Sequence, residues 1–284
     1  MRAKVIAGIV LLGVAACAPK KDSGAKDTTA SAAPTPNVVS FTAKDFAFAG
    51  PDSIPAGMTT VVLHNEGSVL HHLQLVRLTD GKTEADLAAG LQHMKPTDPP
   101  PPWMHFVGGA NAADPGAETQ ATLALQPGNY ALVCLVDIPD HVPHMMKGMI
   151  KALTVTPSSA PEAPAPTPDL TLTLTDYAFS FSSPPTAGKH VIKVQNNGPQ
   201  PHEFELIRLL PGKTLDDVMQ WAQTYQGPMP FTSLGGAPGL EPGDVEYVTM
   251  DLTPGQYVAL CFFPDAKDGK PHFEHGMELP FTIS

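Results

Sequence analysis

Two blocks of the 284-residue chain repeat one another, and this duplication restricts the possible folds more than any other feature of the sequence. Matched motifs in the first part of each block lie 131 residues apart: Asp45-Phe46-Ala47-Phe48 with Asp176-Tyr177-Ala178-Phe179, Ala56-Gly57 with Ala187-Gly188, and Asn65-x-Gly67 with Asn196-x-Gly198. Matched motifs in the later part lie 127 residues apart: Gly108-Gly109-Ala110 with Gly235-Gly236-Ala237, and Pro127-Gly128-x-Tyr130 with Pro254-Gly255-x-Tyr257. A period of this length indicates a duplicated domain rather than a solenoid.

Segments rich in proline and small residues mark the boundaries of the two blocks. Residues 157–168 (PSSAPEAPAPTP) predict an extended, semi-rigid linker between a domain at 37–156 and a domain at 169–284. Residues 18–36 are small, polar and proline-bearing, so they cannot bury enough apolar area to fold and are predicted to be a disordered tether.

Within each block, short β-rich runs alternate with turn residues, a pattern that predicts an all-β sandwich. The runs are 59–63, 73–78, 122–125 and 130–135 in the first block, and 171–175, 191–194 and 247–252 in the second. One short helix is predicted to interrupt each block, beginning after Thr83 and after Thr214, where a threonine N-cap precedes carboxylates in the first helical turn.

The N-terminus has the features of a targeting segment. Arg2 and Lys4 precede an apolar run, residues 5–14, that is too short to span a bilayer, and Ala15-Ala16 precede Cys17. Val-Ala-Ala-Cys resembles a bacterial lipobox, which implies that residues 1–17 form a lipoprotein signal peptide and that Cys17 is lipidated. The alternative is an ordinary secretory cleavage site. The lipobox implies an extracytoplasmic protein anchored to a bacterial membrane on the periplasmic side, at the outer membrane if there are two.

The charge balance argues against one class of partner. The formal net charge is −11 at pH 7, and the sequence supplies no basic surface that could neutralise phosphates. A nucleic-acid partner is therefore not expected.

Side chains that bind soft metals recur in the same order in both blocks. Each block contains a histidine after the Asn-x-Gly motif, a cysteine after the Pro-Gly-x-Tyr strand, and a histidine and a methionine in a Pro-His-x-x-x-Gly-Met motif: His71, Cys134, His144 and Met149, then His202, Cys261, His272 and Met277. Strand alternation directs His71 and His202 inward, and directs His72 and Glu203 the opposite way.

Two imidazoles, one thiolate and a weak thioether form a site that suits copper cycling between its oxidation states. The shortage of carboxylates at matching spacing disfavours calcium and magnesium, and the thioether makes zinc a poorer fit.

With these motifs, both blocks resemble the cupredoxin (blue copper) family. The resemblance implies two tandem Greek-key β-sandwiches with one type 1-like copper each, two per chain, and electron transfer to a redox partner protein that the sequence does not identify. The copper nitrite reductases share an ending like His-x-x-x-Gly-Met, with loops of similar length to the nine residues between Cys134 and His144 and the ten between Cys261 and His272.

Catalytic relatives of this family need further ligands. Multicopper oxidases have paired His-x-His motifs, which this chain lacks. Nitrite reductases have a histidine directly before the cysteine, where this chain has Val133 and Leu260. The sequence therefore predicts an electron carrier or copper-binding protein rather than an enzyme.

Several alternatives stay open from the sequence alone. Cys134 and Cys261 could form a disulfide in an oxidising compartment, or the sites could be vestigial. At the level of function, the alternatives are a copper carrier or storage protein, which could use His141, Met145, Met146 and His275, and a metal-free β-sandwich interaction module.

The first block also offers two registers for the second histidine. His141 with Met146 and His144 with Met149 have the same internal spacing. The second block supports the His144 register, because His272 is also preceded by proline and also lies five residues before a Gly-Met methionine.

Overall fold

The computed structural model describes residues 33–284; the predicted signal peptide, Cys17 and most of the predicted tether lie outside the described residues. The strands of the first repeat are β1 (Asn37–Lys44), β2 (Ala47–Ala49), β3 (Ser53–Pro55), β4 (Gly57–Asn65), β5 (His71–Leu78), β6 (Met104–Ala113), β7 (Glu118–Leu125), β8 (Gly128–Val133) and β9 (Ile150–Thr156). Those of the second are β10 (Leu170–Thr175), β11 (Ala178–Phe181), β12 (Gly188–Asn196), β13 (His202–Leu209), β14 (Phe231–Leu240), β15 (Val245–Leu252), β16 (Gly255–Leu260) and β17 (Glu278–Ile283).

Alternation of apolar and polar residues gives each strand one face for a core. In β10, Leu170, Leu172 and Leu174 are buried while the threonines between them are not. These leucines pack against Phe204 and Leu206 of β13, from the opposite sheet, so the core of the second repeat lies between two sheets. The first repeat has an equivalent core, and the predicted all-β, cupredoxin-like sandwich is confirmed.

Both sheets continue from one repeat into the other. One has the order β11-β10-β12-β15-β7-β4-β1-β2 and the other β17-β16-β13-β14-β6-β5-β8-β9-β3. The junctions are antiparallel pairs of equivalent strands, β15 with β7 and β14 with β6. Residues Pro34–Ser284 accordingly form one compact unit, and residues 157–168, the predicted linker, contain no helix or strand.

The two predicted helices are present as α1 (Glu84–His93) and α2 (Leu215–Ala222). The N-caps are Thr83 and Thr214, whose side chains accept from the backbone N–H groups of Asp86 and Asp217, while those carboxylates accept in return from the cap N–H groups. These reciprocal bonds form a capping box at the start of each helix. No helix in residues 33–284 is long and apolar enough to cross a membrane.

The repeated Gly-Gly-Ala motifs lie in two strands that the sequence did not predict, β6 and β14. Gly109 has φ +141°, and a Cβ there would lie 2.1 Å from the Leu73 carbonyl oxygen of the neighbouring strand. Gly236 is equivalent, with φ +149° and the Phe204 oxygen at 1.8 Å. Only glycine fits this close approach, which coincides with shifts in the β5–β6 and β13–β14 registers.

Glu246 lies in the seam between the repeats. It is fully buried, and its Oε2 accepts from the backbone N–H of Gly109 at 2.8 Å, while Oε1 has no partner in the described residues. Burial raises the pKa of this carboxyl well above its usual value. The folded protein therefore holds a proton here that the unfolded chain releases at lower pH.

We expect the free energy of unfolding to fall as the pH rises. A folded-state pKa above the unfolded value gives a contribution that is complete below the unfolded pKa and is lost as the pH passes through the raised pKa. The slope for one such group is at most about 1.4 kcal/mol per pH unit. Urea denaturation between pH 5 and 9 should show a smaller fall for Glu246→Gln, which stays neutral, than for wild type. Glu162→Gln, at an exposed position, is the control, and equal slopes for Glu246→Gln and wild type would contradict the assignment.

Candidate metal centres

The Asn-x-Gly motifs fix the chain immediately before the first histidine of each repeat. The Asn65 side chain donates to the carbonyls of Val69 and Ala113 and accepts from the N–H of Gly67 at 2.8 Å. A Cβ on Gly67 would lie 2.6 Å from Nε2 of His71, so the glycine leaves space for the imidazole. Asn196, Gly198 and His202 repeat this arrangement.

The His-x-x-x-Gly-Met motif is a single 3₁₀ turn followed by a reversal of the chain. In the first repeat the turn spans His144–Lys147 and ends at Gly148, which has φ +102°. The reversal lets Met149 N–H donate to the His144 carbonyl and Cys134 N–H donate to the Met149 carbonyl. Cysteine, histidine and methionine are thus tied together through the backbone. His272–His275, Gly276 and Met277 form the same turn in the second repeat.

The predicted donors of each repeat converge in the structure. Ligand atoms of His71, Cys134 and His144 all lie within 4.8 Å of one another, as do those of the equivalent trio in the second repeat, His202, Cys261 and His272. The two Nδ1 atoms are 3.0 Å apart in both trios, and Cys134 Sγ is 3.4 Å from His144 Nδ1 and 3.9 Å from His71 Nδ1. All six side chains are completely buried.

Hydrogen bonds on the far side of each ring fix the imidazole protons of the first centre. His144 Nε2 lies 2.7 Å from the carbonyl oxygen of Ile138, which can only accept, so the proton is on Nε2. His71 Nε2 lies 2.7 Å from Asp45 Oδ1. Burial lowers the pKa of both histidines, which keeps them neutral and leaves both Nδ1 lone pairs facing each other.

The thiol of Cys134 completes this arrangement. Burial raises its pKa to about 12, against weaker opposing hydrogen bonds from the backbone. One of these bonds comes from the His72 N–H, 3.4 Å from Sγ. Metal binding must therefore displace the thiol proton, and a thiolate would find a backbone donor already aimed at it.

This donor set fits a soft, thiophilic cation. Two converging nitrogen lone pairs repel each other unless a cation or a proton lies between them, and the sulfur beside them favours copper over harder ions. The residues that would hold copper are the two histidines and the cysteine of each trio. The predicted thioether donors, Met149 and Met277, are fully buried in the same cores as Cys134 and Cys261, respectively.

The second centre lacks the hydrogen bond that holds the second histidine ring of the first centre. His202 Nε2 lies 3.0 Å from Asp176 Oδ1, as its counterpart does with Asp45. His272 Nε2, however, is buried without a hydrogen-bond partner in the described residues, and the nearest carboxylate oxygen, from Asp265, is 3.8 Å away. Burial, together with His202, lowers the pKa of His272 to about 4. The ring of His272 is therefore held less firmly than that of His144.

The structure separates the two candidate registers of the first repeat. His144 is buried beside Cys134, whereas the side chain of His141 is half-exposed and stacks on the ring of Tyr225 in the other repeat, with centroids 4.3 Å apart. Met146 is also exposed. Neither cysteine forms a disulfide within residues 33–284, so the structure does not contain the alternative Cys134–Cys261 pairing.

Both cysteine-to-histidine loops are long enough to contact the other repeat. The first loop reaches Tyr225, whose hydroxyl donates to Asp137 at 2.7 Å. The second loop packs Phe263 edge-to-face on Phe106 of the first repeat, with centroids 5.6 Å apart. Each loop thus contacts the neighbouring repeat as well as carrying its own histidine.

Asp45 and Asp176 were not assigned a role from the sequence, although a clue was available. Both open motifs that recur at the 131-residue offset shared by His71 and His202. Burial acts to raise the pKa of Asp45, but hydrogen bonds from Ser68 and His71 outweigh it and hold the pKa at about 2. Asp45 is therefore an anion that orients the His71 ring.

Asp45→Ala should weaken copper binding at the first centre about 10- to 100-fold, because loss of a carboxylate that orients a histidine ligand typically has this effect. Competition with a chelator in a Cys261→Ser background would report the first centre alone. Asp52→Asn, which changes the same charge at an exposed position, should bind copper as the parent does. Unchanged affinity in Asp45→Ala would show that the carboxylate does not position His71.

A third group of potential ligands in the second repeat consists of the buried Asp265 and the exposed Asp268 and His275. Its exposed pair, His275 with Asp268 at 3.2 Å, occupies the place of the ion pair between Lys147 and Asp140 at 2.7 Å in the first repeat. Lysine is not a metal ligand at this position, so the shared role is to join the ends of the histidine loop.

Comparisons with known proteins give only distant similarities. No family model and no curated protein matches the chain. Among solved structures, it is similar to reduced auracyanin from Roseiflexus castenholzii, at 20% identity over 44% of this chain and 100% of that one, with a TM-score of 0.30. Auracyanin A from Chloroflexus aurantiacus, a "blue" copper protein, is 22% identical over 43% and 100%, with a TM-score of 0.30. A blue copper oxidase from Nitrosomonas europaea is 15% identical over 88% and 86%, with a TM-score of 0.25. These similarities are too distant to assign a family or an activity.

Proposed function

We propose that the chain is an extracytoplasmic copper protein with two type 1-like centres that serves in electron transfer. The observation that carries this proposal is the convergence, twice in one chain, of two imidazole Nδ1 atoms and a cysteine sulfur, all fully buried. Copper bound to such donors would supply a one-electron couple.

Features of the protein around the donors support carriage of electrons over carriage of the ion. The ligand side chains have no solvent exposure, so loading and release of an ion would require the site to open. In the first centre, the Asp45 and Ile138 acceptors hold the two imidazole rings in one orientation. A rigid site changes little between two oxidation states, which suits electron transfer, whereas a carrier needs accessible ligands.

The partners and location belong to the same proposal. The lipobox-like sequence supports lipidation of Cys17 and, through that lipid, anchoring on the extracytoplasmic side of a bacterial membrane. A redox protein of that compartment would exchange electrons with the centres. The anionic net charge favours a partner with a basic docking surface.

The proposed function is tested by adding copper to the purified full-length chain. We expect an intense visible charge-transfer absorption from thiolate to Cu(II) and a stoichiometry of two coppers per chain. Colourless Cu(I) binding without the Cu(II) band would favour the carrier function instead. Absence of copper binding would favour the third alternative, a metal-free interaction module.

Anchoring is tested separately. Wild-type protein should partition with membranes, and Cys17→Ala should be released or remain an uncleaved precursor, because the apolar run is too short to span. Detergent phase separation combined with N-terminal mass analysis measures both. Identical partitioning of the two proteins, with a mature N-terminus elsewhere, would contradict lipidation at Cys17.

A further inference from the structure

A large cavity lies between the two repeats, on the far side of the β5 and β13 strands from the metal ligands. Its volume is about 1140 Å³, and both the helical excursions and the cysteine-to-histidine loops contribute to its walls. This volume exceeds what a water molecule or a bare ion requires and is slightly above the usual range of small-molecule sites, about 300 to 1,000 Å³. The metal donors themselves do not line it.

The two strands present unlike side chains to the cavity at matching positions. The first repeat contributes His72 and Gln74, and the second contributes Glu203 and Glu205. Glu203 and Glu205 are 8% and 5% exposed, which is unusual for carboxylates. Glu203 Oε1 accepts from the N–H of Phe262 at 2.7 Å.

Glu205 is the less satisfied of the two. Its Oε1 accepts from the Ser233 hydroxyl, and its Oε2 has no hydrogen-bond partner in the part of the chain that the structure describes. Burial raises the pKa of Glu205 well above its usual value, so the free protein keeps a proton on this group, and a cation bound beside it favours release of that proton. A buried polar oxygen without a partner is normally satisfied by a ligand, a cation or water. The residue lines the cavity, so a molecule bound there can supply the missing donor.

The charge of the whole lining has one sign. No lysine or arginine among residues 33–284 lines the cavity, whereas six carboxylate residues do: Asp98, Asp137, Glu203, Glu205, Glu274 and Glu278. Such a lining favours cations over anions, and it becomes more negative when Glu203 and Glu205, whose pKa values burial raises, lose their protons.

Aromatic rings supply the rest of the recognition surface. Trp221 lies between Tyr225 and Phe231, with centroids 5.1 Å and 5.7 Å away, and all three line the cavity. Aromatic faces bind apolar bodies and also attract organic cations. The lining therefore combines an apolar, aromatic wall with buried carboxylates.

We propose that this cavity binds a small organic cation, an ammonium group carried on an aromatic or aliphatic body. The ammonium group donates to Glu205, with Glu203 adding negative charge, and the apolar body lies against Trp221 and its neighbours. This site does not require copper, so the proposal is tested independently of the proposed function.

The test is calorimetric titration of the full-length, metal-free protein with phenethylamine, 2-phenylethanol and 4-ethylphenol. Phenethylamine should bind saturably, one per chain, and at least 10-fold more tightly than either neutral analogue. Equal or tighter binding of a neutral analogue would show that the cavity does not select an organic cation, and it would overturn the proposal. Absence of saturable phenethylamine binding would also overturn it.

Two variants locate the site. Glu205→Gln keeps the size of the side chain and introduces the residue type of the matching position, Gln74. It should weaken phenethylamine binding at least 10-fold, and an unchanged urea midpoint would show that the fold is intact. Glu162→Gln makes the same charge change outside the cavity and should bind as wild type does. Trp221→Leu should lower the affinity for all three probes. The fluorescence that this variant loses identifies the emission of Trp221. Wild-type affinity in both Glu205→Gln and Trp221→Leu would place binding elsewhere and refute the proposal.

Discussion

Cys134→Ser is expected to abolish one of two thiolate-to-copper absorption bands and to reduce the copper content from two per chain to one. The thiolate is the source of this absorption, and a serine hydroxyl does not replace it at neutral pH. The two cysteines belong to separate cores, one in each repeat, so the second centre should keep its band. Cys261→Ser should give the complementary result.

Absorption spectra and copper analysis of the two single variants and the double variant measure this effect. The double variant should be colourless. Simultaneous loss of both bands in a single variant would contradict two independent centres. Mass analysis of the metal-free protein under non-reducing conditions should find both thiols free, as they are in the structure.

His144→Ala is expected to destroy the charge-transfer band of the first centre, while His141→Ala should leave it almost unchanged. His144 Nδ1 lies 3.4 Å from Cys134 Sγ, and its removal leaves an incomplete trigonal site. His141 instead stacks on Tyr225 in the other repeat.

Met149→Leu should mainly shift the reduction potential of the first centre, because an axial thioether is bound weakly.

A Cys261→Ser background isolates the first centre for these measurements, with absorption for the histidine variants and redox titration for Met149→Leu. Loss of colour in His141→Ala together with retention in His144→Ala would show that the alternative register is used.

Local patterns in the sequence were sufficient for much of this structure. Alternation predicted strands such as β4 and β10, and Thr83 and Thr214 predicted the beginnings of both helices, because these features depend on neighbouring residues. The second helix ends at Ala222, and Tyr225 follows with φ +51°. The order of histidine, cysteine and histidine identified side chains that the structure brings together.

The parts that the sequence did not predict depend on contacts between the repeats. β6 and β14 contain glycine pairs that normally weaken a strand, and they are stabilised by the strands on both sides. The side chains of His72 and Glu203 were predicted to point away from the core, and they do point away from the metal ligands. They are nevertheless buried, because the second repeat and the loops cover that face. No periodicity in either block encodes this covering.

The pairing of equivalent strands across the junction makes the molecule a dimer fused into a single polypeptide. In a homodimer with twofold symmetry, both subunits must present the same side chains to their shared interface. Fusion removes that constraint, since each copy can mutate alone. The wall formed by β13 carries two carboxylates at the positions where β5 carries an imidazole and an amide. The two linked repeats can therefore enclose an asymmetric interior, which a twofold-symmetric pair of identical chains cannot have.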